Sequence, residues 1–143
     1  MQKPKASDLI WAAGLFDGEG CLHARRHETK GCVNIHATIS MVFQPAVRRI
    51  HRLAGCGVFK KNDYGVGRRV QWKWVAVGQQ AAGFVRMLLP FLMVKRKEAL
   101  IFLRIADEQK RRGNRHMTER SRGEQSRRIS ALKKAKRYEW QKA

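Results

Sequence analysis

The fold of this chain is decided close to its start, by the stretch Ala12-Ala13-Gly14-Leu15-Phe16-Asp17-Gly18-Glu19-Gly20. Ser7 or Asp8 can cap a helix that begins at Leu9, because a short polar side chain satisfies the free N–H groups of a first helical turn. Gly18 and Gly20 predict that this helix ends at about Asp17. The small residues of the stretch would let a second helix backbone approach closely. We therefore expect a short, closely packed helix that ends in an acidic turn.

The segment after this helix predicts a β-hairpin. Over residues 33–44 the odd positions are apolar and the even positions are mostly polar. A period of two with one apolar face indicates a sheet that is packed on one side and open on the other. Residues 21–27 would form the first strand, joined to the second by a turn at residues 28–31. A short helix over residues 45–53 follows, because Pro45 suits a first helical turn.

The second half of the chain predicts two more strands and two more helices. The strands cover residues 58–62 and 69–77, and the helices cover residues 79–89 and 94–112. The order is α-β-β-α-β-β-α-α, which indicates an α+β fold. We expect one domain over residues 1–112 and a basic, helical extension over residues 113–143. Ile129, Leu132 and Trp140 suggest that the extension docks weakly.

Charge indicates the partner. The 143 residues include 31 Lys and Arg against 11 Asp and Glu, a formal net charge of +20. A surface this basic attracts polyanions. No apolar run approaches the ~20 residues of a membrane-spanning helix, and no signal peptide is evident. We therefore expect nucleic acid rather than membrane.

The three cysteines are widely spaced and fit neither a disulfide framework nor a zinc pattern. They predict an intracellular, reducing compartment, such as a bacterial or phage-infected cytoplasm or an organelle.

The stretch at residues 12–20 resembles the signature nonapeptide of the LAGLIDADG homing endonuclease family. Gly14, Leu15, Asp17 and Gly20 match, and Glu19 stands at the second acidic position. Residues 89–99 are similar to the family's late Pro-aromatic-Leu…Lys segment. The resemblance covers residues 7–110 and implies the αββαββα fold, whose curved antiparallel sheet forms a DNA-binding saddle.

The resemblance also implies how such a chain works. One motif per chain implies a homodimer, in which Ala13, Gly14 and Asp17 lie at the helix interface. The roles implied by position are a metal ligand and catalytic carboxylate for Glu19, a backbone ligand for Gly20, transition-state stabilisation for Lys95, and water positioning or DNA reading for Gln44. Carboxylate and carbonyl oxygens suit Mg²⁺, with Mn²⁺ as the alternative.

We therefore expect a site-specific endonuclease that binds double-stranded DNA. It would make a metal-dependent double-strand break in a long pseudo-palindromic site, the reaction that underlies intron homing. The expected contacts with DNA are polar side chains on the open face of the two hairpins: His23, Arg25, His27, Asn34, His36, Thr38, Ser40, Arg69, Gln71 and Lys73.

Two alternatives remain open. A catalytically inactive DNA- or RNA-binding protein of the same fold (a regulator or an intron maturase) would use the same sheet. A general nucleic-acid packaging protein would need only the charge.

Overall fold

The computed structural model describes residues 3–27, 32–113 and 116–136, and it confirms the predicted α+β class and order of elements. The elements are α1 (Ala6–Glu19), β1 (Gly20–Arg26), β2 (Val33–Met41), α2 (Gln44–Ala54), β3 (Val58–Asn62), β4 (Gln71–Val77), α3 (Gly78–Leu88), α4 (Arg96–Arg112) and α5 (Glu119–Ala135). A single 3-10 turn over Leu89–Phe91 links α3 to the segment before α4. None of the described helices is long and apolar enough to cross a membrane.

The strands form one antiparallel sheet in the order β1-β2-β4-β3. Its first face is apolar and packs against the helices, because every second residue of the central strands points to that side. Ile39 of β2 pairs with Trp74 of β4, and both side chains are buried. Phe84 of α3 lies between Trp74 and Phe16 of α1, with ring centroids 4.6 Å and 6.0 Å away. This aromatic group fixes α1 against the sheet.

Several predicted boundaries were wrong by a few residues. The first helix continues through Gly18 to Glu19, and the backbone N–H of Gly20 then donates to the carbonyl of Phe16. The second strand ends at Met41 because Gln44 and Pro45 already belong to α2. The fourth strand begins at Gln71 rather than at residue 69. The predicted turn at residues 28–31 lies outside the described residues.

Gly20 is required by a close approach at this junction. A Cβ atom at that position would lie 2.5 Å from the ring and from the carbonyl oxygen of Phe16. No larger residue can follow Glu19 without moving α1 from the sheet. The glycine therefore sets the angle at which α1 enters β1.

The basic extension packs more closely than its sequence predicts. Met117, Ile129 and Leu132 are buried in the same core as the sheet. Gln125 is buried as well, and its side-chain amide donates to the carbonyl of Ile105 at 3.4 Å. Trp140 lies outside the described residues. As far as the chain is described, α5 shares one core with the rest of the fold.

Helix α5 lies along the free edge of β1. The Arg26 guanidinium donates to Ser126 Oγ at 3.3 Å, and Lys136 Nζ lies 3.6 Å from Cys21 Sγ. The two elements run antiparallel, because the later contact residue on the helix side, Lys136, meets the earlier one on β1, Cys21. The helical and strand segments between the two contacts both span roughly 15 Å, at about 1.5 Å and 3.3 Å per residue. Covering an edge strand in this way protects it from pairing with other chains.

Candidate active site

Glu19 is the last residue of α1, and its side chain is exposed. Gly20 pairs with Ile39 across β1 and β2, so Glu19 lies at the end of the sheet where these two strands begin and finish. Among residues 3–27, 32–113 and 116–136, no hydrogen bond or ion pair to the Glu19 carboxylate is found. The carbonyl end of a helix is already the negative end of its dipole. An unpartnered carboxylate at that end is suited to bind a cation.

Asp17, two residues earlier, is engaged within the chain. Its carboxylate oxygens accept hydrogen bonds from the backbone N–H groups of Met93 (2.9 Å) and Lys95 (2.8 Å). The Lys95 ammonium in turn donates to the backbone carbonyl of Asp17 at 2.6 Å. These bonds join the end of α1 to the start of α4 and hold the Lys95 ammonium beside the last turn of α1.

We predict that Asp17→Ala lowers the free energy of unfolding by about 2 kcal/mol, because two backbone donors lose a charged acceptor. The opposing gain, from removing a negative charge at a helix C-terminus, is only about 0.3–1 kcal/mol. Urea denaturation followed by circular dichroism measures the difference. As a control, Asp107→Ala removes only the exposed ion pair with Arg86 and is expected to change stability by less than about 1 kcal/mol. Equal effects of the two changes would contradict the anchoring role of Asp17.

Gln44 is the first residue of α2 and is half-buried. It follows closely on the end of β2, so the structure places it at the same end of the sheet as Glu19. Arg48 lies one helical turn further along α2, and its guanidinium is 4.8 Å from the ring centroid of Phe59. Arg48 was not among the predicted site residues, although its spacing of four from Gln44 puts the two residues on one side of a helix.

Glu98 also belongs to this region and was missed. It lies in the first turn of α4 and is half-buried. Burial raises the pKa of its carboxyl, and the positive charges of Lys95 and Lys136 oppose that rise. Two cations from distant parts of the chain therefore act on one carboxyl group beside the end of α1.

The outer side of α1 carries an exposed stripe at a spacing of four residues. It consists of Ile10, which is 56% exposed, Gly14 and Gly18. A Cβ atom at Gly14 or Gly18 would meet nothing within 4 Å. The Ala13 side chain, in contrast, is 0% exposed and lies in this chain's own core. The surface available to a second helix is centred on Gly14.

The second face of the sheet, here called the open face, carries mostly polar and basic side chains. The register places on it Cys21, His23, Arg25, Asn34, His36, Thr38, Ser40, Val58, Lys60, Asn62, Gln71, Lys73, Val75 and Val77. None of these residues is acidic. Most of the predicted DNA contacts are among them. The exceptions are His27, which follows the last residue of β1, and Arg69, which lies before β4.

His23 and His36 form a stacked pair on the open face, with ring centroids 4.6 Å apart. Burial lowers the pKa of His23 from 6.5 to about 4, and the positive charges of Lys136, His36 and Lys73 add to this effect. Burial, with Lys73 and Lys136, also lowers the pKa of His36. Both imidazoles are therefore neutral at pH 7, and they offer hydrogen bonds rather than charge.

We predict that the His23 imidazole titrates with a midpoint near 4 in an NMR titration of the free protein. Lys136→Met should raise that midpoint, because it removes a nearby positive charge, whereas Lys133→Met on the exposed side of α5 should leave it unchanged. The pKa of His23 is lower in the folded chain than in the unfolded chain, so the unfolded chain binds a proton first as pH falls. The free energy of unfolding therefore has its full value above pH 6.5 and decreases as pH falls towards 4. A His23 midpoint at or above 6.5 would rule out this environment.

The donors at the end of α1 fit a hard divalent cation. The Glu19 carboxylate and the backbone carbonyl of Gly20 are oxygen ligands of the kind that Mg²⁺ prefers. Within the part of the chain that the structure describes, no group of three His, Cys, Asp or Glu side chains could hold a metal ion. One chain thus supplies only part of a coordination shell. A second copy, water or a phosphate would have to supply the rest.

The fold is that of the LAGLIDADG homing endonucleases, as the nonapeptide predicted. The homing endonuclease I-CvuI, solved in complex with the I-CreI target in the presence of Mg, superposes with a TM-score of 0.76 at 20% identity, over 95% of this chain and 88% of that one. The archaeal intron-encoded homing endonuclease I-Vdi141I, solved with DNA, gives 0.75 at 15% identity, over 96% and 89%. The LAGLIDADG homing endonuclease I-GzeII, solved with a DNA target, gives 0.72 at 18% identity, over 91% of this chain and 44% of that one.

Sequence comparison points the same way. The DNA endonuclease I-CvuI of Chlorella vulgaris is 28% identical to this chain over 105 residues, which are 68% of this chain and 62% of that protein. The match thus spans less than two thirds of the length of this relative. No protein-family model matches the chain.

Proposed function

We propose that this chain is a site-specific DNA endonuclease that acts as a homodimer with a divalent metal ion. The observation that carries the proposal is the exposed Glu19 carboxylate. It has no partner among the described residues, and it lies at one end of a basic sheet face. It ends α1, whose last turn also holds the Lys95 ammonium through the carbonyl of Asp17. The relatives named above are DNA endonucleases or were solved bound to DNA, which supports the same substrate here.

The dimer is proposed because each chain carries one motif helix, α1, so a second such helix has to come from another copy. The stripe of Ile10, Gly14 and Gly18 is exposed and lacks bulk at its centre, so a second helix backbone can approach it closely. A twofold axis through this stripe would pair it with itself. It would also bring two Glu19 carboxylates near each other, each at a negative helix end. Such an arrangement calls for cations between the carboxylates and a phosphate.

The open face is the proposed DNA surface. It carries Arg25, Lys60 and Lys73 and no acidic residue, so its field favours a polyanion. Two copies related by a twofold axis would present two such faces to half-sites about one helical turn apart. The target is therefore a long pseudo-palindromic site.

The residues at the end of α1 suit hydrolysis of a phosphodiester. Glu19, with the carbonyl of Gly20, would hold Mg²⁺ or Mn²⁺, and the bound ion supplies polarisation of the scissile phosphate and stabilisation of the leaving oxygen. The Lys95 ammonium, fixed by Asp17, places positive charge where the phosphate gains negative charge during attack. Gln44 offers a side-chain amide that can orient the attacking water.

The test is cleavage of a plasmid library with a randomised insert of about two helical turns, with Mg²⁺ or with EDTA. We expect Mg²⁺-dependent linearisation of a small subset of plasmids whose cut ends share one pseudo-palindromic sequence. Selective binding without cutting would identify an inactive DNA-binding protein of the same fold. Binding without any sequence preference would favour a packaging protein, and both results would overturn the proposal.

A further inference from the structure

The open face carries an apolar patch of three valines, here called the valine patch: Val58, Val75 and Val77. Val58 of β3 pairs directly with Val75 of β4, and Val77 is the next residue of β4 on the same side. Val58 is 61% exposed and Val77 is 59% exposed. Only polar residues of this face were predicted to contact DNA, so the patch has no role in the function proposed above.

We propose that the valine patch reads the 5-methyl groups of thymine in the DNA major groove. This inference rests on the proposed function, since it assigns part of the sequence preference of the same DNA surface. The patch lines a shallow depression of ≈ 530 Å³, together with Cys56, Gly57, Lys60 and Gln80. The exposed apolar side chains of this depression are in contact with water, which is unfavourable. A ligand that removes the water from them is therefore favoured.

Charge decides which occupant fits. Lys60 lies next along β3 on the open face, and Lys73 precedes Val75 on the open face of β4, where the two lysines pair directly. An apolar protein surface would have to desolvate these two ammonium groups, whereas DNA pairs them with phosphates. Of the groups that DNA presents in its major groove, the thymine methyl is the apolar one.

The register also predicts where in the half-site the thymines lie. Gly20 pairs with Ile39, so Glu19, one residue earlier, is level with Ser40, one residue later. Ser40 pairs with Lys73, and Lys73 pairs with Lys60, so the two lysines are level with Glu19. The valine patch begins two strand residues further along, about 7 Å away. At 3.4 Å per base pair this is about two base pairs. The thymines should lie close to the cleavage position, nearer to it than the bases that face Arg25.

The experiment replaces thymine by deoxyuracil, which lacks only the methyl group. The sequence selected from the library, by cutting or, where nothing is cut, by binding, is prepared as duplexes with one such change each, and binding is titrated in Ca²⁺. We expect affinity to fall about fourfold at one to three inner thymines, the effect of one buried methyl group. In Val58→Thr and Val77→Thr the loss at those positions should vanish, because a hydroxyl replaces the methyl that packs. Val66→Thr, at an exposed loop valine, is the matched control and should keep the discrimination.

The results separate this inference from the proposed function. Unchanged discrimination between thymine and deoxyuracil in Val58→Thr and Val77→Thr, or a selected half-site with no methyl-sensitive thymine near the cut, would overturn the inference even if the enzyme cleaves. Discrimination that is lost in these variants supports the inference even if no DNA is cut, in which case only the proposed catalysis fails.

Discussion

Glu19→Gln should reduce cleavage of the selected site by roughly a thousandfold or more, because a metal ion supplies several kcal/mol of transition-state stabilisation. The substitution keeps the size of the side chain and removes the charge that holds the cation. DNA binding should persist or become tighter, since repulsion between the carboxylate and the phosphates is lost. Single-turnover cleavage in Mg²⁺, beside a binding titration in Ca²⁺, measures the two effects separately.

Glu119→Gln is the matched control for this change. Glu119 is exposed in the first turn of α5, so the same loss of charge occurs far from the end of α1 and should leave the cleavage rate unchanged. If Glu19→Gln cut at the parent rate, the metal would be held elsewhere and the proposed role of the motif would be wrong.

Gly14→Leu should weaken the dimer strongly while leaving the folded chain intact. In a twofold interface the added side chain enters twice, and overpacking costs roughly 1–3 kcal/mol per site. The dissociation constant should therefore rise by about thirtyfold to ten-thousandfold. Within one chain there is open space at this position, so the substitution should stabilise α1 by about 0.5–1 kcal/mol through helix propensity. Sedimentation equilibrium and urea denaturation measure these opposite effects.

Gly83→Leu provides the comparison, because Gly83 is also helical and a Cβ atom there meets nothing within 4 Å. Both variants should gain helix stability, and only Gly14→Leu should shift the mass towards that of a single chain. A parent protein that is monomeric while cutting both strands, or a Gly14→Leu variant that dimerises as tightly as Gly83→Leu, would exclude pairing through α1.

The position of α5 changes how the basic extension can be tested. Removing the chain after Arg112 would expose the core, because Met117, Ile129 and Leu132 are buried in it. A loss of DNA binding in that truncation would then report unfolding as well as lost charge. Substitution of exposed cations such as Lys133 and Lys134 keeps the core and isolates the electrostatic contribution, which should be seen as a weaker dependence of affinity on salt.

The sequence by itself determined the features that depend on neighbouring residues. The alternation over residues 33–44 predicted a sheet with one apolar face, since side chains along a strand point to opposite sides. The nonapeptide predicted a helix that ends in a carboxylate, and the excess of Lys and Arg predicted a polyanionic partner. The roles of Glu19, Gly20, Lys95 and Gln44 came from the position of each residue in a resemblance, and they stay predictions.

Only the tertiary structure decided which distant residues meet. Asp17 accepts hydrogen bonds from Met93 and Lys95, and no local pattern relates segments so far apart in the chain. Lys136 reaches Cys21 because α5 lies along the edge of β1, a placement that weak amphipathicity in a basic tail does not predict. Ala13 faces the core and Gly14 faces outward because the packing of Phe16 against Phe84 sets the rotation of α1. Helix periodicity fixes which residues share a side of a helix, and long-range packing alone fixes which side is buried.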